Sequence, residues 1–183
     1  MQGDQWNTGL DGERRPLGVA QIESLFEALT QRNVRYVVVG GVAVVLHGHP
    51  RLTADVDLAI DLDPEPLTHA MQVLTELGFE PQLPVSINQF VDPAIRAEWI
   101  SQRNLTVFSL RSRSNALLTA DVFAENPIPF ADQWRDAVQI ALTVTTVRIA
   151  SIAHLIEMKL LAGRPKDLED IAHLREIEND HGR

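Results

Sequence analysis

The chain has 183 residues, of which 45% are hydrophobic and 22% charged, ordinary proportions for a globular domain with a sizeable core. It contains no cysteine, so thiolate zinc sites, thiol nucleophiles and disulfide frameworks are excluded. Sixteen Lys and Arg against 25 Asp and Glu give a net charge of −9. That balance speaks against a broad basic surface for nucleic acid, and leaves room for a local basic pocket or a small anionic substrate carried with its metal.

Residues 1–16 read as a loose polar leader ending at Pro16, without a signal-peptide core. No later stretch reaches the length of a membrane span, so no membrane role is expected and the cytoplasm is the expected address. Apolar residues at Val19, Ile22, Leu25, Phe26 and Leu29 predict a helix over 17–33. The β-branched run Tyr36-Val37-Val38-Val39 predicts a buried strand, which stops at Gly40-Gly41 before a short apolar helix from Val42 to His47.

From Val56 to Leu62 the pattern alternates. Val56, Leu58, Ile60 and Leu62 point one way, and Asp55, Asp57, Ala59 and Asp61 the other. Asp61 and Asp63 read as strand end and helix cap for a helix from Pro64 to Leu77, closed by Gly78. The stretch from Pro81 to Asn104 is the least legible, with a helix expected over 94–102. Strands are expected over 105–110 and 116–123, a short helix over 130–137, and strand material over 138–149. Helices over 152–161 and 168–177 flank Gly163-Arg164-Pro165. The order predicts an α+β fold, a small mixed sheet with flanking helices and a C-terminal helical segment. The expected divisions are a leader at 1–16, a core at 17–150 and a helical segment at 151–183 that completes a cleft.

A lone D-x-D is more often a solvated strand edge than a site. Here Asp55 and Asp57 share one face of a strand whose other face is apolar, and a glycine pair ends a strand thirteen residues upstream. Asp121 falls late in another expected strand, where it could complete a carboxylate cluster. Side chains at i and i+2 of a strand lie roughly 6–7 Å apart, a spacing suited to one or two divalent metals. Magnesium favours a few carboxylates together with phosphate and water. Glycines let backbone N–H groups approach phosphate, and a following helix N-terminus favours the anion.

Val39-Gly40-Gly41, followed after thirteen residues by Asp55-Val56-Asp57, resembles the signature of the nucleotidyltransferase superfamily that includes DNA polymerase beta. Lys159-Leu160-Leu161-Ala162-Gly163-Arg164-Pro165-Lys166-Asp167-Leu168-Glu169-Asp170-Ile171 resembles the C-terminal motif of the AbiEii-type family, the toxin arm of type IV toxin–antitoxin systems. The resemblance implies that Asp55 and Asp57 hold Mg2+ or Mn2+, with Asp121 as third ligand or base. It implies that Gly40, Gly41 and Thr53 contact a nucleoside triphosphate, and that Lys159 and Lys166 neutralise phosphate. Arg51, Arg164, Asp167 and Asp170 would line the cleft. The implied reaction moves a nucleoside monophosphate to a hydroxyl on a transfer RNA end, a protein or a small molecule, and an antitoxin protein is an implied partner.

Simpler readings stand beside these. Gly40-Gly41 serves equally as a plain strand-to-helix turn, Asp121 as an edge-strand charge, and Asp167 as a residue that complements the helix dipole. Lys159 could snorkel from an apolar helix. His47 and His49 read as surface or capping residues, and His154 and His173 as structural. The functional rival is a module on the same fold that binds nucleotide or protein without turnover. A structural protein with an accidental D-x-D ranks last.

Overall fold

The computed structural model describes residues 17–53, 55–165 and 167–181. The expected leader over 1–16, and Lys166 with its expected phosphate role, lie outside the described residues.

The elements in chain order are α1 (Leu17–Gln31), β1 (Tyr36–Val39), α2 (Gly40–Leu46), β2 (Asp55–Ile60), α3 (Pro64–Glu76), β3 (Phe79–Pro81), α4 (Ile87–Val91) and α5 (Pro93–Arg103). There follow β4 (Val107–Ser112), β5 (Thr119–Phe123), α6 (Phe130–Asp136), β6 (Val138–Ala141), β7 (Thr146–Ile149), α7 (Ile152–Ala162) and α8 (Asp167–His181). The strands form one seven-stranded sheet in the order β3-β4-β5-β2-β1-β7-β6. The fold is the expected α+β arrangement. β1 runs antiparallel to β2 and parallel to β7, while β2 runs parallel to β5. The edge strands β3 and β6 pair antiparallel with β4 and β7.

β1 is central and all four of its residues are buried, which is why it reads as an unbroken apolar run rather than an alternating one. β2 alternates only at its start. Val56, Leu58 and Ile60 are fully buried on one face, and on the other Asp55 is exposed, Asp57 half-buried and Ala59 buried. The carboxylate face therefore emerges from under cover at the N-terminal end of the strand. Helices α1 and α3 contribute Leu25, Phe26, Leu29, Leu67, Met71 and Leu74 to the same core.

Several expectations need adjustment. α2 begins at Gly40 rather than Val42, so the glycine pair forms the first turn of the helix instead of a linker before it. Asp63 occupies the N-cap position of α3 but its side chain makes no cap hydrogen bond; the Asp63 N–H donates instead to the Asp61 carboxylate at 3.3 Å. In the poorly legible stretch, α4 is fixed by a capping box in which Ser86 and Gln89 satisfy each other's backbone N–H groups. Arg96 on α5 is only 7% exposed and donates to the carbonyls of Phe90, Val91 and Leu62. Those bonds tie α4 and α5 to the end of β2. The material over 138–149 is a hairpin of two strands, closed by Leu142 N–H donating to Thr145 O at 2.8 Å.

Candidate functional site

Register places the three aspartates. In the parallel pairing of β2 with β5, Asp55 lies beside Thr119 and Asp57 beside Asp121. In the antiparallel pairing of β5 with β4, Asp121 lies beside Ser109. The structure thus brings Asp55, Asp57 and Asp121 onto one face of adjacent strands, although Asp121 is far from the other two in sequence. They floor a cavity of about 900 Å³.

One side of the cavity is built by Gly40, Gly41, Arg51 and Thr53. Both glycines are forced by close approach. A Cβ on Gly40 would stand 1.9 Å from the Asp57 Oδ2, and Gly40 has φ +61°, where other residues are strained. A Cβ on Gly41 would stand 2.7 Å from the Thr53 hydroxyl oxygen. The glycine pair is therefore needed by Asp57 and Thr53, independently of any ligand. Across the cavity, the segment from α5 to the start of β4 supplies Ile100, Leu105 and Val107 together with Asn104 and Thr106, and the end of β5 and the loop after it supply Phe123, Glu125 and Asn126, so this half mixes apolar and polar side chains. α7 covers the floor with Leu155, Met158 and Ala162.

The floor is electrostatically uncomfortable. Burial, then the charge of Asp121 and more weakly that of Asp55, pushes Asp57 up to about 6, against an opposing N–H from Gly41 and the more distant charge of Arg164. Burial raises the Asp121 carboxyl as well, with Asp55 adding to it and a hydrogen bond from Ser109 opposing. Asp55 accepts from the Thr119 hydroxyl at 2.6 Å. Among the described residues no group of three or more His, Asp or Glu side chains is arranged to hold a metal ion as it stands. The donor set is nonetheless one that suits a hard divalent cation: oxygens only, with like charges crowded on one floor.

The cations expected in the cleft belong to a second cluster. Lys159 on α7 is 6% exposed, and its ammonium donates to Asp167 at 3.1 Å and to Asp170 at 2.5 Å. Asp167 and Asp170, on the first turn of α8, are 2% and 4% exposed. Arg51 from the α2–β2 loop donates to Asp170, and Arg164 from the α7–α8 turn donates to Asp167 at 2.7 Å. Burial would raise Asp167, but the hydrogen bonds and charges of Arg164 and Lys159 outweigh it and hold the carboxyl below the usual range. Lys159, Arg51, Arg164 and Asp167 border the cavity, and Asp170 stands behind them. Lys159 neither snorkels nor reaches free into the cleft.

The histidines take structural places. His47 bonds through Nε2 to the Ala150 carbonyl at 2.8 Å. His49 stacks on His173 with centroids 4.0 Å apart, beside Asp170. Sequence reasoning passed over Thr119 and Ser109. Their signal is positional: Thr119-x-Asp121 repeats the spacing of Asp55-x-Asp57, and only the register reveals that the two pairs lie alongside.

Solved structures share this fold. ANT(2'')-Ia in complex with adenylyl-2''-tobramycin matches with TM-score 0.56 and 16% identity, over 87% of this chain and 92% of that one. A candidate nucleotidyltransferase of Thermotoga maritima matches with TM-score 0.55 and 15% identity, over 91% and 95% of the two chains. The lincosamide antibiotic adenylyltransferase LnuA, bound to lincomycin, matches with TM-score 0.53 and 18% identity, over 87% and 96%. At these identities the likeness concerns the fold. No curated protein matches the chain in sequence. A family model does match, across residues 19–178, and by it the chain belongs to the family described as nucleotidyltransferase of unknown function (DUF6036).

Proposed function

We propose that this protein is a metal-dependent nucleotidyltransferase whose acceptor is a small hydroxylated molecule. The observation that carries the reading is the register of Asp55-x-Asp57 against Thr119-x-Asp121 on the floor of the cavity, next to Gly40 and Gly41. Asp55, Asp57 and Asp121 would hold Mg2+ or Mn2+, which when bound neutralises charge on the phosphates and on the attacking and leaving oxygens. Gly41, Thr53, Arg51 and Arg164 would face the triphosphate. The acceptor oxygen forms a bond to the α-phosphorus, the bond from that phosphorus to the bridging oxygen breaks, and pyrophosphate leaves. Asp121, where it is not a metal ligand, would take the acceptor proton. On this reading residues 17–150 form the core, and 151–183 close the cleft.

The engagement of the cleft's cations with Asp167 and Asp170 leaves little free positive charge for an RNA backbone, which supports a small acceptor over a transfer RNA end. The antibiotic ligands of two of the solved neighbours point the same way. A toxin role with an antitoxin partner rests on the resemblance of residues 159–171 to the AbiEii-type motif alone. A module that binds nucleotide without turnover is the rival, and the placement of Asp121 beside Asp57 favours catalysis over it.

The test is thermal stability with magnesium and each nucleoside triphosphate, for the wild type and for Asp55→Asn/Asp57→Asn. Ligand at a hundred times its dissociation constant stabilises by about 2.7 kcal/mol. A metal-dependent shift in the wild type that the double variant lacks is expected. No shift with any nucleotide overturns the proposal.

A further inference from the structure

Each carboxylate of the floor has an uncharged polar neighbour. Asp55 accepts from the Thr119 hydroxyl at 2.6 Å; Ser109 stands beside Asp121 on the paired strand and acts to lower its carboxyl, and the Gly41 N–H acts in the same sense on Asp57. The first two partners come from neighbouring strands at directly paired positions, Asp55 with Thr119 and Asp121 with Ser109. Sheet pairing therefore delivers a hydroxyl to the side of Asp55 and of Asp121. The backbone fixes the partner's position, so little ordering is left to the side chains.

We infer that Thr119 and Ser109 are positioning residues, which fix the rotamers of Asp55 and Asp121 so that each carboxylate keeps one oxygen free for a divalent cation. The inference rests on the metal-binding reading above. Asp55 is the case that most needs such help, because it is exposed at the first position of β2. An exposed aspartate samples several rotamers, and ordering it costs free energy at the moment of binding. A hydroxyl that donates to one carboxylate oxygen removes much of that cost in advance, and a charge-assisted bond is strong enough to hold the rotamer. Neither hydroxyl can substitute for a carboxylate as the charged ligand. Their contribution is to orientation, the role that hydrogen-bonding partners of metal ligands commonly have.

The probe is Mn2+ alone, titrated into the full chain and followed by electron paramagnetic resonance of the free ion. Thr119→Val keeps the shape of the side chain and suits a strand, and it should weaken Mn2+ binding about 10-fold. Thr119→Ser restores the hydroxyl and should recover most of that loss. Ser109→Ala should act in the same direction as Thr119→Val. Circular dichroism checks that each variant is folded, and Asp55→Asn/Asp57→Asn marks the complete loss of the site. A Thr119→Val protein that binds Mn2+ within about twofold of the wild type, while the double aspartate variant does not bind, overturns this inference and leaves the metal reading standing. A wild type that binds no Mn2+ removes both. Tighter binding by Thr119→Val overturns the inference too, since Thr119 would then be drawing Asp55 away from the metal.

Discussion

Asp57 and Asp121 share the cavity floor with Asp55, and burial together with their neighbours' charge lifts both carboxyls. Asp167, on the wall of the same cavity and 2% exposed, titrates in the opposite direction because Lys159 and Arg164 bond to it. The two clusters use the same residue type and differ in company, the wall acids being the less exposed of the two sets. In the wall cluster each acid has its cation, so it holds α7 and α8 together and braces Arg51 and Arg164 from behind. The floor has three acids whose neighbours are hydroxyls and an N–H, with only the distant pull of Arg164, and on the proposed reading it is the cluster that receives a cation from solution. Burial alone does not sort an aspartate into a structural or a functional role; the sign of its neighbours does.

The largest expected effect breaks the wall. Lys159→Met removes the ammonium that Asp167 and Asp170 share and leaves both buried carboxylates without their one buried cation. A loss of about 3–5 kcal/mol is expected, read from the urea unfolding midpoint. A loss below about 1 kcal/mol would put this buried cluster on a level with surface ion pairs and dissolve the contrast.

On the floor, removing a charge should have the reverse effect. The folded-state carboxyl of Asp57 is raised to about 6, so the folded protein holds that proton more tightly than the unfolded chain does. Stability from this group is greatest at low pH and falls as pH rises from about 4 to about 6. Above that window ionised Asp57 costs about 2–3 kcal/mol. Asp57→Asn should therefore stabilise the metal-free protein by about that amount at pH 8 and by little at pH 4. Equal effects at both pH values would contradict the assigned cause.

The smallest effect sharpens the comparison within the wall itself. The Arg164 side chain is 57% exposed although its partner Asp167 is buried. Arg164→Gln should cost about 1 kcal/mol or less, and that cost should shrink in high salt. A cost near that of Lys159→Met would show that Arg164, rather than Lys159, is the main countercharge.

What the sequence disclosed depended on how local the signal was. β1, β2 and α3 were legible because a β-branched run, an alternating run and a Pro-to-Gly bracket each carry their own evidence over a few residues. Asp55 and Asp57 were legible as a pair because two residues of one strand share a face wherever that strand goes. β3 was not, since Phe79–Pro81 is three residues long and ends in proline. α4 carried the readable capping-box signal Ser86-x-x-Gln89, but five residues give no helical period to go with it. The wall cluster was out of reach for another reason. Lys159 sits among leucines in the sequence, and the carboxylates that bury it arrive only when α7 and α8 pack. The stack of His49 on His173 and the alignment of Thr119 with Asp55 depend likewise on pairings between distant segments, which no local pattern encodes.

The parallel pairing of Val38 with Ile149 bears on how the protein comes into being. β1 is among the first strands to leave the ribosome, and β7, its neighbour in the sheet, among the last. Until β7 and then α7 emerge, one edge of β1 stays unpaired and the aspartate floor lacks its cover. Closing so long a loop is slow relative to local hairpins, so the nascent chain carries an apolar strand with one edge unpaired until β7 is made. This is the stage at which a chaperone, or a pause in translation, would have most influence on yield.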